Sequence, residues 1–224
     1  MKKTVLIGSI AALLFIGCDE PTSENQTTIQ QVDSESQMTP EQESLARIEE
    51  EHALLMVGYA DSVNLGIIEP DTFPGSARRE ATGKIADCDV TVNYGSPGKR
   101  GRVLWNGLVS YDQIWVSGSH WATAVTFTHP VKIEDVHVEP GTYAFFTIPG
   151  RETWTLILNE VYDQHLAEEY KKNLDVVRVE VKPENLDEVV QRLTYTVELT
   201  GDNSGVIAMA WDQIKVSMPF ETLE

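Results

Sequence analysis

From Ala81 to the end of the chain, apolar residues recur at every second position in short runs, and turn-forming residues separate the runs. A period of two places alternate side chains on opposite faces of an extended strand, and no helix can bury such a pattern on one side. The runs are Val90 to Tyr94, Thr123 to Thr128, Val131 to Val138, Tyr143 to Ile148, Thr153 to Leu158, Val176 to Val181, Leu193 to Leu199, Val206 to Trp211 and Ile214 to Met218. Gly95-Ser96-Pro97-Gly98 and Gly201-Asp202-Asn203-Ser204-Gly205 have the composition of turns, the second of them that of a hairpin turn between two strands. About nine or ten short strands spaced in this way predict an all-β domain, an antiparallel β-sandwich or jelly roll. Two stretches break the alternation. Val161 to Asn173 has helical composition, and Pro183 to Glu188 reads as a short helix opened by proline. Both are expected to be helices that cross between sheet edges.

The N-terminal part is different. Lys2 and Lys3 precede an apolar run from Val5 to Ile16, which Gly17-Cys18 closes. A run of about a dozen residues is short for a membrane span and fits the apolar region of an export signal. Phe15-Ile16-Gly17-Cys18 resembles the bacterial lipobox. The resemblance implies a lipoprotein signal peptide over 1–17, cleavage before Cys18 and a lipid anchor on Cys18 that ties the protein to a membrane. The expected location is therefore extracytoplasmic, in the cell envelope, with the leaflet undecided. Residues 18–39 are polar and acidic, too poor in apolar side chains to offset their ordering entropy, and read as a flexible tether. Thr39-Pro40-Glu41 has the form of a helix start, and Leu45, Ile48, His52, Leu55 and Tyr59 give one stripe on a helix over 40–66.

Charge narrows the partners. The chain holds 17 Lys and Arg against 35 Asp and Glu, a formal charge of −18, and so repels phosphate backbones. Nucleic acid is excluded as an expected partner. Two cysteines allow neither a disulfide framework nor a cysteine-built zinc site, and with Cys18 lipidated, Cys88 is a lone thiol suited to burial in a strand.

Several segments are more specific than periodicity: Asn93-Tyr94-Gly95-Ser96-Pro97-Gly98-Lys99-Arg100-Gly101-Arg102, Leu104-Trp105-Asn106-Gly107-Leu108-Val109, Ile114-Trp115, Pro140 to Gly150, and Arg192-Leu193-Thr194-Tyr195. Over residues 76–220 the chain resembles the bacterial domain-of-unknown-function 2911 family, common in exported proteins of Bacteroidetes-type bacteria. The resemblance implies a mostly β domain and export, and it carries no established reaction. After Trp115 many relatives have an Arg-Thr-Gly-Ala-Asn-Glu-Ala-Thr pattern, whereas this chain has Val116-Ser117-Gly118-Ser119-His120-Trp121-Ala122-Thr123. A site built on that Arg and Glu is not carried over.

There is no nucleophile elbow, phosphate loop, zinc-protease motif or EF-hand loop. Two constellations remain. Arg100, Arg102, Trp105 and Trp121 sit in Gly- and Ser-rich segments where aromatic rings can stack on a ligand and an arginine can hold an anion. They support a non-catalytic module for a small ligand, a glycan or a partner protein. The second set is His120, His165 and Glu169. On a helix over Val161 to Asn173, His165 and Glu169 share a face, and with His120 they can hold a divalent metal such as zinc. That set defines the alternative, a metal-binding protein or metal-dependent hydrolase. Trp115, Trp154 and Trp211 are expected in the core.

Overall fold

A computed structural model describes residues 58–223. The lipobox, Cys18, the tether and residues 40–57 of the expected helix lie outside the described residues. Among the described residues, ten strands form two antiparallel sheets. The first has six strands in the order β1 (Ala77–Ile85), β2 (Cys88–Ser96), β3 (Thr123–Phe127), β6 (Gly141–Ile148), β7 (Trp154–Asn159) and β8 (Asp175–Val181). The second has four, in the order β5 (Val136–Val138), β4 (Val131–Ile133), β10 (Ser204–Thr222) and β9 (Glu184–Leu199).

Alternation explains the main core. Val90, Val92 and Tyr94 of β2 point inward with Val125 and Phe127 of β3, and face Leu193, Tyr195, Ile207 and Met209 of the other sheet. Cys88 is buried among them. Around the middle of the sheet the alternation fails because both faces are covered. Ala144 and Phe146 of β6 and Ile157 of β7 look outward, yet they pack with Val116 and Ala122 in a second cluster that Ala167 and Tyr170 flank. The segments 114–122 and 160–174 thus form a partial third layer over β6 and β7.

Residues 58–64 are helical, and Gly66 follows with a φ of +68°. The helix docks on β9: Asn64 Nδ2 donates to Arg192 O at 3.0 Å, and the Arg192 amide donates to Asn64 Oδ1 at 2.7 Å. A buried ion pair clasps the following segment. Arg192, fully buried, donates from Nη2 to Asp71 Oδ1 at 2.8 Å and to Phe73 O at 2.8 Å, and from Nη1 to Gly75 O at 2.9 Å. Its guanidinium also lies over the rings of Tyr59 and Phe73, 5.2 and 5.5 Å from their centroids.

Both expected crossing helices are absent. Pro183 to Glu188 continues into β9, because its residues pair with β10 at Glu184↔Lys215 and Asn185↔Ile214. Strand pairing here overrides the local helix signal. Val161 to Asn173 is an irregular loop that ends in a 3-10 turn at Lys172–Leu174. Leu166 has a φ of +53° there, which no right-handed helix accommodates.

Candidate functional site

The 26-residue connection from Pro97 to Ala122 folds over the end of the sandwich where β2 stops, β3 starts and β6 hands over to β7. Its first half is a plug. The amides of Gly107 and Val109 donate to Leu104 O at 3.2 and 2.9 Å, and the Leu108 amide donates to Val103 O at 3.0 Å. A Cβ on Gly107 would lie 2.3 Å from Val103 O, so the turn requires glycine. This turn drives Leu104 and Trp105 into the space between the sheets. Trp105 meets Trp154 at 4.8 Å, Trp211 at 5.9 Å and Trp115 at 6.1 Å, all edge to face, while Trp115 and Trp211 stack at 6.0 Å.

This corrects the pairing of Trp105 with Trp121 as an exposed aromatic surface. Trp105 is partly buried and joins the cluster of Trp115, Trp154 and Trp211, because packing against three indoles removes more apolar area from water than exposure at a loop tip. Trp121 is 51% exposed and stands apart from that cluster. Trp154 and Trp211 are core residues, and Trp115 packs against the core from its edge.

The second half of the connection is tied down by buried polar groups. Tyr195 donates its hydroxyl to Ser117 O at 2.8 Å, Thr123 Oγ1 donates to the same carbonyl at 3.0 Å, and Ser117 Oγ donates to Thr147 Oγ1 at 3.1 Å. Burial pushes the Tyr195 phenol far above the usual tyrosine range. Gly95 admits the loop: a Cβ there would meet Ser119 Oγ at 2.4 Å.

His120 and His165 come together, but not through a helix. Asn159, fully buried, anchors the 160–174 loop by donating to Lys171 O at 3.0 Å and Asp175 Oδ1 at 2.7 Å, and by accepting from the Val161 amide at 3.0 Å. The loop then pairs with the residues before β3. The Ala122 amide donates to Gln164 O at 3.0 Å, the Leu166 amide donates to His120 O at 2.6 Å, and Trp121 bridges His165. The His120 and His165 ring centroids stand 6.5 Å apart, and His165 meets the Trp121 ring edge-on at 5.8 Å. Two imidazoles on one tetrahedral zinc, with metal–nitrogen bonds of about 2.0–2.1 Å, hold their centroids about 5 Å apart. The rings are close to that spacing without reaching it. Glu169 loses the helix that was to place it beside His165. Among the described residues no three His, Cys, Asp or Glu side chains converge to hold a metal ion.

Between the plug and this histidine pair lies a cleft of about 370 Å³. Arg102, Leu108, Trp115, Ser119, His120, Leu166 and Trp211 are among its walls. Arg102 is held at the rim by its own backbone, with Nε donating to Lys99 O at 3.2 Å and Nη2 donating to Gly98 O. Arg100 is separated from it. It donates from Nη1 to Phe73 O at 3.3 Å and borders a larger depression of about 680 Å³ with Val63, Glu69, Asp71 and Gln191. That depression carries two carboxylates against one arginine and no histidine, whereas the smaller cleft holds two of the candidate residues, Arg102 and His120. Leu108, Ser119, Leu166 and Trp211 were not singled out as ligand contacts by sequence reasoning. Leu108 and Ser119 carry only the signal of a Gly- and Ser-rich connection, Leu166 lies in the stretch read as a helix, and Trp211 was assigned to the core alone.

The architecture defines an all-β protein of two packed antiparallel sheets, with one long connection enclosing a cleft at the end of the sandwich. The model of the family described as "Protein of unknown function (DUF2911)" matches residues 76–220, and the chain belongs to that family. Comparison with curated proteins and with solved structures finds no match.

Proposed function

We propose that this chain is a lipid-anchored cell-envelope protein whose β domain binds a small ligand in the cleft between the 98–109 and 118–121 segments. The observation that carries the reading is that the two loops bring Arg102 and His120, both singled out from the sequence, to the wall of one concavity of about 370 Å³. That volume is at the low end of small-molecule sites, and a stacked tryptophan pair beside a few polar groups is the usual composition of such sites. The N-terminal basic and apolar pattern ending at Cys18 supports the anchor and the extracytoplasmic location. The test is a thermal-melt screen of the detergent-solubilised chain against small organic acids, amides and sugars, repeated on Leu166→Trp. Leu166 is 42% exposed on the cleft wall, so the larger ring fills the cleft without disturbing the core. A compound that raises Tm in the parent and not in Leu166→Trp supports the reading. A library that moves neither melt, or both equally, refutes it.

The second reading is a metal-binding protein or metal-dependent hydrolase using His120, His165 and Glu169. The approach of the two imidazoles favours it. Elemental analysis of untagged protein after zinc supplementation tests it. Near-stoichiometric metal that disappears in His120→Ala and His165→Ala supports it, and metal-free protein refutes it.

A further inference from the structure

The cleft has a chemical polarity opposite to that of the protein around it. The chain carries 35 carboxylate residues, yet none lines the cleft, and neither does any Asn or Gln. Its polar side chains are Arg102, Ser76, Ser119, His120 and the indoles of Trp115 and Trp211. The wall carbonyls of Pro97, Gly98 and Gly118 already accept from the Leu193 amide, Arg102 Nη2 and Trp115 Nε1. Among the side chains left free, Ser76, Ser119 and His120 can donate or accept, and Arg102 is the one charged donor on the wall.

Two of those donors are unsatisfied within the fold. Trp211 is 1% exposed, and its Nε1 has no partner; Ser119 Oγ is buried and also has none. Arg102 is used on one edge only. Its Nε and one Nη2 hydrogen serve Lys99 O and Gly98 O, which fixes the guanidinium plane, and Nη1 has no partner among the described residues. The remaining end of the fork, Nη1 with the second Nη2 hydrogen, is the end that grips a carboxylate with two parallel bonds.

A neutral sugar leaves the free end of the Arg102 fork without a charge partner. A phosphate dianion is also a poor match for a single arginine. The apolar share of the wall, the Trp115 and Trp211 rings with Leu108 and Leu166, requires an apolar or flat body behind the charged group.

Resting on the small-ligand reading of this cleft, we infer that its ligand is a small organic carboxylate, with the carboxylate on Arg102 and an apolar or aromatic body against Trp115 and Trp211. The local field is arranged for this. No carboxylate stands among the cleft walls, so a ligand anion meets no like charge on the lining itself.

The test titrates the full chain in mild non-ionic detergent with phenylacetate, phenylacetamide, methyl β-glucoside and inorganic phosphate, reading tryptophan emission. Trp115 and Trp211 line the cleft and report occupancy. Phenylacetate should bind at least about tenfold more tightly than its amide, the scale of one charge-assisted bond. Arg102→Gln should erase that preference, and Arg102→Lys should restore it only in part, since an ammonium lacks the fork. Equal affinity for acid and amide overturns the inference while leaving the cleft a ligand site. Binding of glucoside or phosphate in place of phenylacetate also overturns it and redirects the ligand class. If none of the four changes the emission, the inference fails, and the screen with Leu166→Trp decides separately whether the cleft binds any ligand.

Discussion

Arg192→Met should be among the most damaging single substitutions in the domain. The guanidinium is fully buried and makes four hydrogen bonds, to Asp71 Oδ1 and to the carbonyls of Phe73, Gly75 and Ser96. Its ion-pair partner is also buried, at 2% side-chain exposure. Removing the arginine leaves Asp71 with only the Tyr59 hydroxyl donating to Oδ1, at 3.1 Å, while Oδ2 already has no partner. Breaking a buried pair by removing one member costs about 3–5 kcal/mol, because the surviving charge stays desolvated. Against a total stability of about 5–15 kcal/mol this is a large fraction. The pair itself contributes much less than that figure, since both charges gave up hydration to meet. The double variant Arg192→Met with Asp71→Leu should therefore recover most of the loss. Lys84→Met is the control: Lys84 and Asp89 are 58% and 60% exposed, and that bridge should be worth less than about 1 kcal/mol. The assay is equilibrium urea unfolding followed by tryptophan emission, with ΔG extrapolated at constant m. The reasoning is refuted if Arg192→Met costs no more than Lys84→Met, or if the double variant is no more stable than the single one.

Three further outcomes can be measured. Burial raises the Tyr195 phenol, so the folded state holds its proton above pH 10, where the unfolded chain releases it; stability is full below that pH and should fall by about 1.4 kcal/mol per pH unit above it. Tyr195→Phe should flatten that alkaline limb in melts between pH 9 and 11, and an unchanged slope contradicts the assignment. Trp154→Ala should cost about 3–5 kcal/mol by urea unfolding, whereas Trp121→Ala, at a half-exposed site, should change ΔG by less than about 0.5 kcal/mol. Fatty-acid labelling of the chain expressed in a bacterium with lipoprotein processing should mark the parent and not Cys18→Ser; equal labelling of both removes the lipid anchor from the proposal.

Strands were legible wherever one face of a sheet is buried, as in Val90-Thr91-Val92-Asn93-Tyr94, because inward and outward positions then differ in chemistry. β1 was not named as a strand, since Arg78, Arg79, Glu80 and Lys84 mask an inward set of Ala77, Arg79 and Ile85. β10 was read as two strands because Asp212-Gln213 looks like a turn. The chain instead continues through a bulge there, with Asp212 at a φ of +55°. The reverse error occurred at Val131 to Val138, where Glu134 at a φ of +51° turns one apparent strand into the β4–β5 hairpin. The helix expected over Val161 to Asn173 failed for a non-local reason, because Gln164, His165 and Leu166 pair with residues about 45 positions earlier. The same pairing brings His120 to His165, so the two imidazoles meet although the helix expected to carry His165 is absent. The Arg192–Asp71 clasp was not legible as such: 121 positions separate its members, and neither lies in a pattern that signals burial.

In most two-layer sandwiches every second residue of a strand faces solvent and is free to drift in identity. β6 and β7 lose that freedom, because the 114–122 and 160–174 segments roof their outer face. A polar replacement at Ala144, Phe146 or Ile157 is as badly placed as one at Phe145 or Leu158. At these positions β6 and β7 therefore have no permissive side.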